Sequence, residues 1–180
     1  MSTVLATQTH HDRLLSALAP IGLAAAAGTA LVVDLENPGV SYPGERTLAD
    51  LVRDGPRRAD LIPERDGVAL LANGGVDMDE ARETVELLIS NWPATVLRTM
   101  DGDVPAPVVP VIPLYPGWMA RPTELVAVWQ TMSGSTDAPG PGPVLPAPGR
   151  SMIVSVCSGR LPTKGRWVRS WGAVWELPWR

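Results

Sequence analysis

A mostly parallel α/β sheet in three layers is the fold class this sequence predicts, on three observations. Short continuous apolar runs occur at "ALVVDL" (30–35), "GVALLA" (67–72) and "ATVLRT" (94–99). Runs without polar alternation belong to strands covered on both faces. Segments of helical periodicity separate them, and strands alternating with helices give parallel crossovers rather than hairpins.

Residues 10–27, from "HHDRLLSALA", read as a helix that Gly28 and Thr29 end. The uncharged stretch 14–33 is 20 residues long, enough to span a bilayer, and with Arg13 before it resembles an export signal. Its many alanines, Pro20 and its β-branched end instead predict a buried helix feeding a buried strand. "RTLADLV" (46–52) is a helix capped by Thr47. An Asn73-Gly74-Gly75 turn follows the second strand. The helix at 77–92 has acidic residues in its first turn, where the helix dipole favours them. Val85, Leu88, Ile89 and Trp92 line one of its faces, and Pro93 stops it. The prolines of "APVVPVIPLYP" (106–116) place that extended run at a sheet edge or outside the sheet. Residues 133–150 are rich in Pro, Gly and Ser and read as a linker. The expected organisation is an α/β domain at 1–132, the linker at 133–150, and a basic Trp-rich tail at 151–180.

Composition narrows the function classes. The single cysteine, Cys157, excludes an intrachain disulfide framework and a cysteine-built zinc site, which agrees with a cytoplasmic location. Of 19 acidic residues only Glu176 falls beyond residue 149, where six of the 15 basic residues lie: Arg150, Arg160, Lys164, Arg166, Arg169 and Arg180. Such a tail is suited to meet something anionic: a membrane surface, nucleic acid or the acidic body of the chain itself.

The order of the pieces "ALVVDLENPG", "LADLV", "GVALLANGG", "DEARETVELLISNWP" and "ATVLRT" resembles the ParA/MinD group of deviant-Walker ATPases, TadZ-like proteins included. There the counterparts are a "VDLD" strand, a "LADLL"-like helix, a "GL-VLP-G" strand and turn, a helix and a "VVIDTP" strand. The resemblance covers about residues 15–115 and implies a P-loop-like topology. The departures fall on the chemistry. A phosphate loop needs glycines for close backbone approach and a lysine for the outer oxygens, and the deviant form needs two lysines. This chain has one, Lys164, followed by Gly, and no Gly-rich loop precedes "ALVVDL". Arg98 and Thr99 stand where the family carries its later aspartate. Only Asp34 remains, with Glu36 for the second Asp. Phosphoryl transfer is almost entirely positioning and electrostatics, so the resemblance implies a pseudo-ATPase, or simply the same fold, without catalytic residues or cofactor.

Asp34 and Glu36, at a strand's carboxyl end, sit where open α/β sheets bind ligands; the plainer reading is a solvated strand end. His10 and His11 lack a third ligand at metal spacing, and no motif surrounds Ser133, Ser135 or Cys157 that would support nucleophilic catalysis. In "GRWVRSWGAVWELPWR" (165–180), Trp167, Trp171 and Trp175 recur every four residues, with Val168 and Val174 beside them and Arg166, Arg169, Ser170 and Glu176 away from the stripe. A helix over 165–177 would present this stripe to a partner's groove, to a membrane interface, or to the chain's own body. Nucleic acid ranks behind these. The expected function is a non-enzymatic adaptor or positioning subunit. Its partner-binding set is Arg166, Trp167, Val168, Arg169, Trp171, Val174 and Trp175. The alternatives are a RecA-like accessory subunit of a DNA-handling complex and a nucleotide-dependent enzyme using Asp34 and Glu36.

Overall fold

The computed structural model describes residues 2–9, 12–36, 42–63, 66–100, 103–117, 124–134 and 137–179. Its elements are β1 (Thr3–Gln8), α1 (Arg13–Ala27), β2 (Ala30–Asp34), α2 (Leu48–Asp54), α3 (Arg58–Leu61), β3 (Val68–Leu71), α4 (Met78–Asn91), β4 (Ala94–Thr99), β5 (Val108–Leu114), β6 (Val128–Thr131), β7 (Val144–Leu145), α5 (Arg150–Cys157), α6 (Arg166–Ser170) and α7 (Gly172–Trp175). One seven-stranded sheet runs in the order β3-β2-β4-β1-β5-β6-β7, and every ladder in it is parallel. This is the three-layer parallel α/β class the periodicity predicts, consistent with the P-loop-like topology the resemblance implies.

The central strands are buried on both faces because a helix layer covers each. On one side α1 and the C-terminal helices pack over Ala30, Val32, Ala94 and Val96. On the other, Leu48 and Leu51 of α2 and Val85 and Leu88 of α4 pack over Leu31, Val33 and Leu97. Alternate strand residues serve alternate layers, which is why β2 and β4 read as unbroken apolar runs. Residues 14–33 form most of α1 and β2, built into this sandwich. Among the described residues, no helix is long and apolar enough to cross a membrane.

The helix starts follow their capping chemistry. Asp12 caps α1 by accepting the Leu15 N–H at 2.8 Å. Thr47 and Asp50 form a reciprocal capping box at α2, and Asp77 caps α4.

Several expectations need correction. The first strand is β1, upstream of α1, rather than "ALVVDL"; "TVLATQ" mixes polar and apolar residues and gives little periodic signal. It lies between β4 and β5, paired with both.

The proline-rich run is not an edge. β5 lies between β1 and β6, and stagger makes this possible. Ala6 N–H donates to Pro107 and Met132 N–H to Leu114, so odd-numbered β5 residues face β1 and even-numbered ones face β6. Pro110 therefore turns its nitrogen toward β6 ahead of that strand's first residue, and Pro113 turns its own toward β1 beyond Gln8. Each missing amide lies outside the paired stretch of the ladder it faces.

The stretch 133–150 is not a linker between separate bodies, so the expected division at 132 and 151 does not describe the packing. It holds β7, paired to β6, with Leu145 buried. Gly142 has φ +123°, and a Cβ there would lie 1.9 Å from the Ala127 carbonyl oxygen, so only glycine fits that approach. Gln130 of β6 donates to the Thr131 and Pro146 carbonyls and accepts from the Trp167 indole at 2.9 Å, fastening this segment and the tail to the sheet.

The tail is two short helices broken at Trp171 rather than one helix over 165–177. Its stripe faces inward. Trp167, Val168, Trp171 and Val174 are buried against α1, and Trp175 is half-buried with its indole N–H donating to the Leu23 carbonyl. Gly22 makes the seat: a Cβ there would lie 2.4 Å from Trp171 Nε1 and 2.5 Å from Trp167 Cη2. The two rings meet edge to face at 5.8 Å. Expected as a free binding surface, the apolar part of the tail is core, because α1 offers an apolar face that would otherwise lie open to water.

Candidate functional site: a closed ion network at the strand ends

The strand order sets where a site can form. The chain leaves β1 toward β2 on one side and passes from β4 to β5 on the other. Open α/β sheets bind ligands outside the carboxyl ends of the strands at such a reversal. The described side chains here come from the ends of β2 and β4 and the first turns of α1.

Asp34 and Arg98 stand opposite one another in the β2–β4 ladder. Arg98 Nη1 reaches Asp34 Oδ2 at 3.1 Å, Nη2 reaches Glu36 Oε2 at 2.5 Å, and Nε donates to Ser16 Oγ at 3.1 Å. Ser16 in turn donates to Glu36 Oε1 at 2.5 Å, closing a ring of hydrogen bonds. Asp34 Oδ1 accepts the Glu36 N–H, a local turn of the kind aspartate makes with the backbone two residues on. The Tyr42 ring lies 5.3 Å from the guanidinium carbon, within cation–π range, and its hydroxyl donates to the Ala17 carbonyl.

All five side chains are buried, Asp34 and Arg98 at 1% exposure each. The expected solvated strand end is therefore corrected: the pair Asp34 and Glu36 is enclosed, and a third group, the guanidinium, holds it. Burial pushes Asp34 up to about 6, against the pull of Arg98. Burial also pushes the Tyr42 phenol well above its ordinary range, so Tyr42 contributes a neutral ring.

The connection from β1 to α1 is the one that carries the phosphate loop in a P-loop fold. It contains Thr9, His10, His11 and Asp12, with neither glycine nor lysine. His10 and His11 lie outside the described residues, as does Ser135. A helix N-terminus receives anions through its free amides; here the carboxylate of Asp12 takes that role on Leu15 N–H and also accepts the Tyr115 hydroxyl. Thr99 is buried beside the network. On the outer side of Tyr42 an apolar cavity of about 490 Å³ lies between Leu18 and Ile21 of α1, Pro43, Leu70 and Val156, a size suited to an apolar group.

The arrangement binds its own charges. Among the described residues no group of three or more His, Cys, Asp or Glu gathers as metal ligands would. Sequence reasoning found Asp34 and Glu36, and noted Arg98 only as a replacement. Ser16, Asp12 and Tyr42 escaped it. Asp12 carried a usable signal, an aspartate three residues before a buried leucine at a helix start; Tyr42 carried none. Of the tail set, Arg166 and Arg169 are exposed while Trp167, Val168, Trp171 and Val174 are enclosed.

No family model, curated protein or solved structure matches the chain.

Proposed function

We propose that the chain is a non-catalytic adaptor or positioning subunit, a pseudo-ATPase of P-loop-like fold whose nucleotide position is closed by its own side chains. The observation that carries this reading is Arg98, held between Asp34 and Glu36. In a nucleotide site basic groups balance the phosphates and carboxylates hold the metal. Here a guanidinium fixed by two carboxylates and a serine supplies positive charge that is already neutralised, and Asp12 supplies the anion at the helix N-terminus. Both charge positions are filled from within, so no ligand charge is needed to occupy them. A domain with that property is suited to hold a surface in place rather than to turn over a substrate. The partner in this reading is a protein, with peripheral membrane contact as the other option, and the tail's outward side, bearing Arg166 and Arg169, faces it.

Titration calorimetry of the full chain with ATP and magnesium tests the reading. No saturable heat is expected at micromolar concentrations. Saturable, magnesium-dependent binding that disappears in Asp34→Ala would overturn it.

A further inference from the structure

We propose that the chain associates with further copies of itself head to tail, the basic outer side of its C-terminal segment meeting the acidic outer face of α4 on the next copy. This goes beyond the pseudo-ATPase reading and holds whether or not a nucleotide binds.

The two faces lie on opposite sides of the sheet. The inward residues of α4, Val85 and Leu88, belong to the core that also holds α2. Its outward residues Asp79, Glu80, Glu83 and Glu86 are exposed. The one basic residue on that helix, Arg82, is engaged by Asp79 at 3.4 Å and by Asp103 at 3.8 Å. The C-terminal helices belong to the other core, with α1. There Arg150, Arg160, Lys164, Arg166 and Arg169 are all exposed, and among the described residues none of them has an ion-pair partner in its own chain. Only Glu176 is acidic in this segment.

Each face also carries apolar surface that the chain leaves uncovered. α5 reads "RSMIVSVC" yet has no buried residue, and Val154 is 56% exposed. On α4, Leu87 is 41% exposed between Glu83 and Glu86 on one side and Ser90 and Asn91 on the other. An apolar residue within a charged surround, opposite in sign on the two faces, is the complementarity that directs association and sets its register.

Geometry decides the symmetry. A single partner cannot reach both sides of one sheet, so a closed two-copy assembly leaves one face of each copy unused. The contact is heterologous and propagates as a ring or an open chain. α4 is about 21 Å long, so the strip it offers falls short of the roughly 800 Å² per partner of a standard interface. The contact is therefore weak, charge-driven and sensitive to salt.

Sedimentation velocity on the full chain reads this directly, at about 0.01 M salt, where the Debye length is ~30 Å, and about 1 M, where it is ~3 Å. At low salt the weight-average mass is expected to rise with concentration past two copies, and at high salt to fall to one. Arg166→Glu with Arg169→Glu, and separately Glu83→Arg with Glu86→Arg, are each expected to give a single copy at low salt. Circular dichroism and thermal unfolding check that both stay folded. All four substitutions in one chain restore the opposite signs and are expected to restore the mass increase. The proposal is overturned if the unsubstituted chain stays at one copy at low salt, if assembly stops at two copies, or if the fourfold variant stays single while folded.

Discussion

Arg98 stands directly across the β2–β4 ladder from Asp34, and its guanidinium nitrogen lies 3.1 Å from the Asp34 carboxylate. The same guanidinium reaches Glu36 at 2.5 Å. One buried cation thus answers for two buried carboxylates. Removing it leaves both without their counter-charge.

Arg98→Met keeps the aliphatic stem and deletes the charge. It is expected to destabilise the fold by about 3–5 kcal/mol at neutral pH, the range for breaking a buried ion pair from one side. Urea unfolding at about pH 7 and about pH 5 measures it. The loss should be smaller at the lower pH, because carboxylates that have lost their partner can take up protons. An equal loss at both pH values would show that Arg98 matters through packing alone.

Asp34 has the opposite sign. Burial raises it to about 6 from an ordinary value of about 4. Between those two pH values the folded chain holds a proton that the unfolded chain has released. Stability from this group is fully present below about pH 4 and is lost as pH rises through about 6. An asparagine in its place carries no titrating proton, so the stability of Asp34→Asn relative to the parent is expected to rise between about pH 4 and about pH 7. Chemical unfolding of both proteins across that window checks the sign; a variant less stable at pH 7 than at pH 4 relative to the parent refutes it.

Gly22→Ala tests the seat of the tail. Alanine favours a helix by about 1 kcal/mol over glycine, yet its Cβ would sit 2.4 Å from Trp171 Nε1. Overpacking of this kind costs about 1–3 kcal/mol, so a net loss is expected. It should appear as a lower melting temperature with a red-shifted tryptophan emission. A rise in melting temperature would mean that the indoles move aside freely.

Truncation after residue 149 removes Trp167, Val168, Trp171 and Val174 from α1. Each indole buries about 200 Å², worth as much as about 5 kcal/mol, against a total stability of about 5–15 kcal/mol for a typical domain. The truncated chain is expected to lose its cooperative thermal transition. A sharp transition in the 1–149 fragment would return the tail to the role of an appendage.

The sequence by itself determined the sandwich of layers. Continuous apolar runs at Ala30–Asp34, Val68–Leu71 and Ala94–Thr99 demand cover on both faces, and the cap at Thr47, the acidic first turn of the helix at 77–92 and the stop at Pro93 set helix bounds to within a residue or two. These signals are local, so they can be read without knowing what packs where. Asp34 and Glu36 were visible for the same reason. Tertiary structure alone decided the rest. β1 is central although its composition is mixed, because its neighbours supply the burial. Pro110 and Pro113 sit inside the sheet because stagger puts their missing amides outside the paired stretches they face. The tail's tryptophans show the same limit: periodicity reveals a stripe, but whether it meets a partner or α1 depends on Gly22, about 150 residues away in the chain. Arg98 lies 64 positions from Asp34, and no local pattern pairs them. Buried charges must find counter-charges wherever the fold brings them together, and that pairing exists only once the sheet has formed.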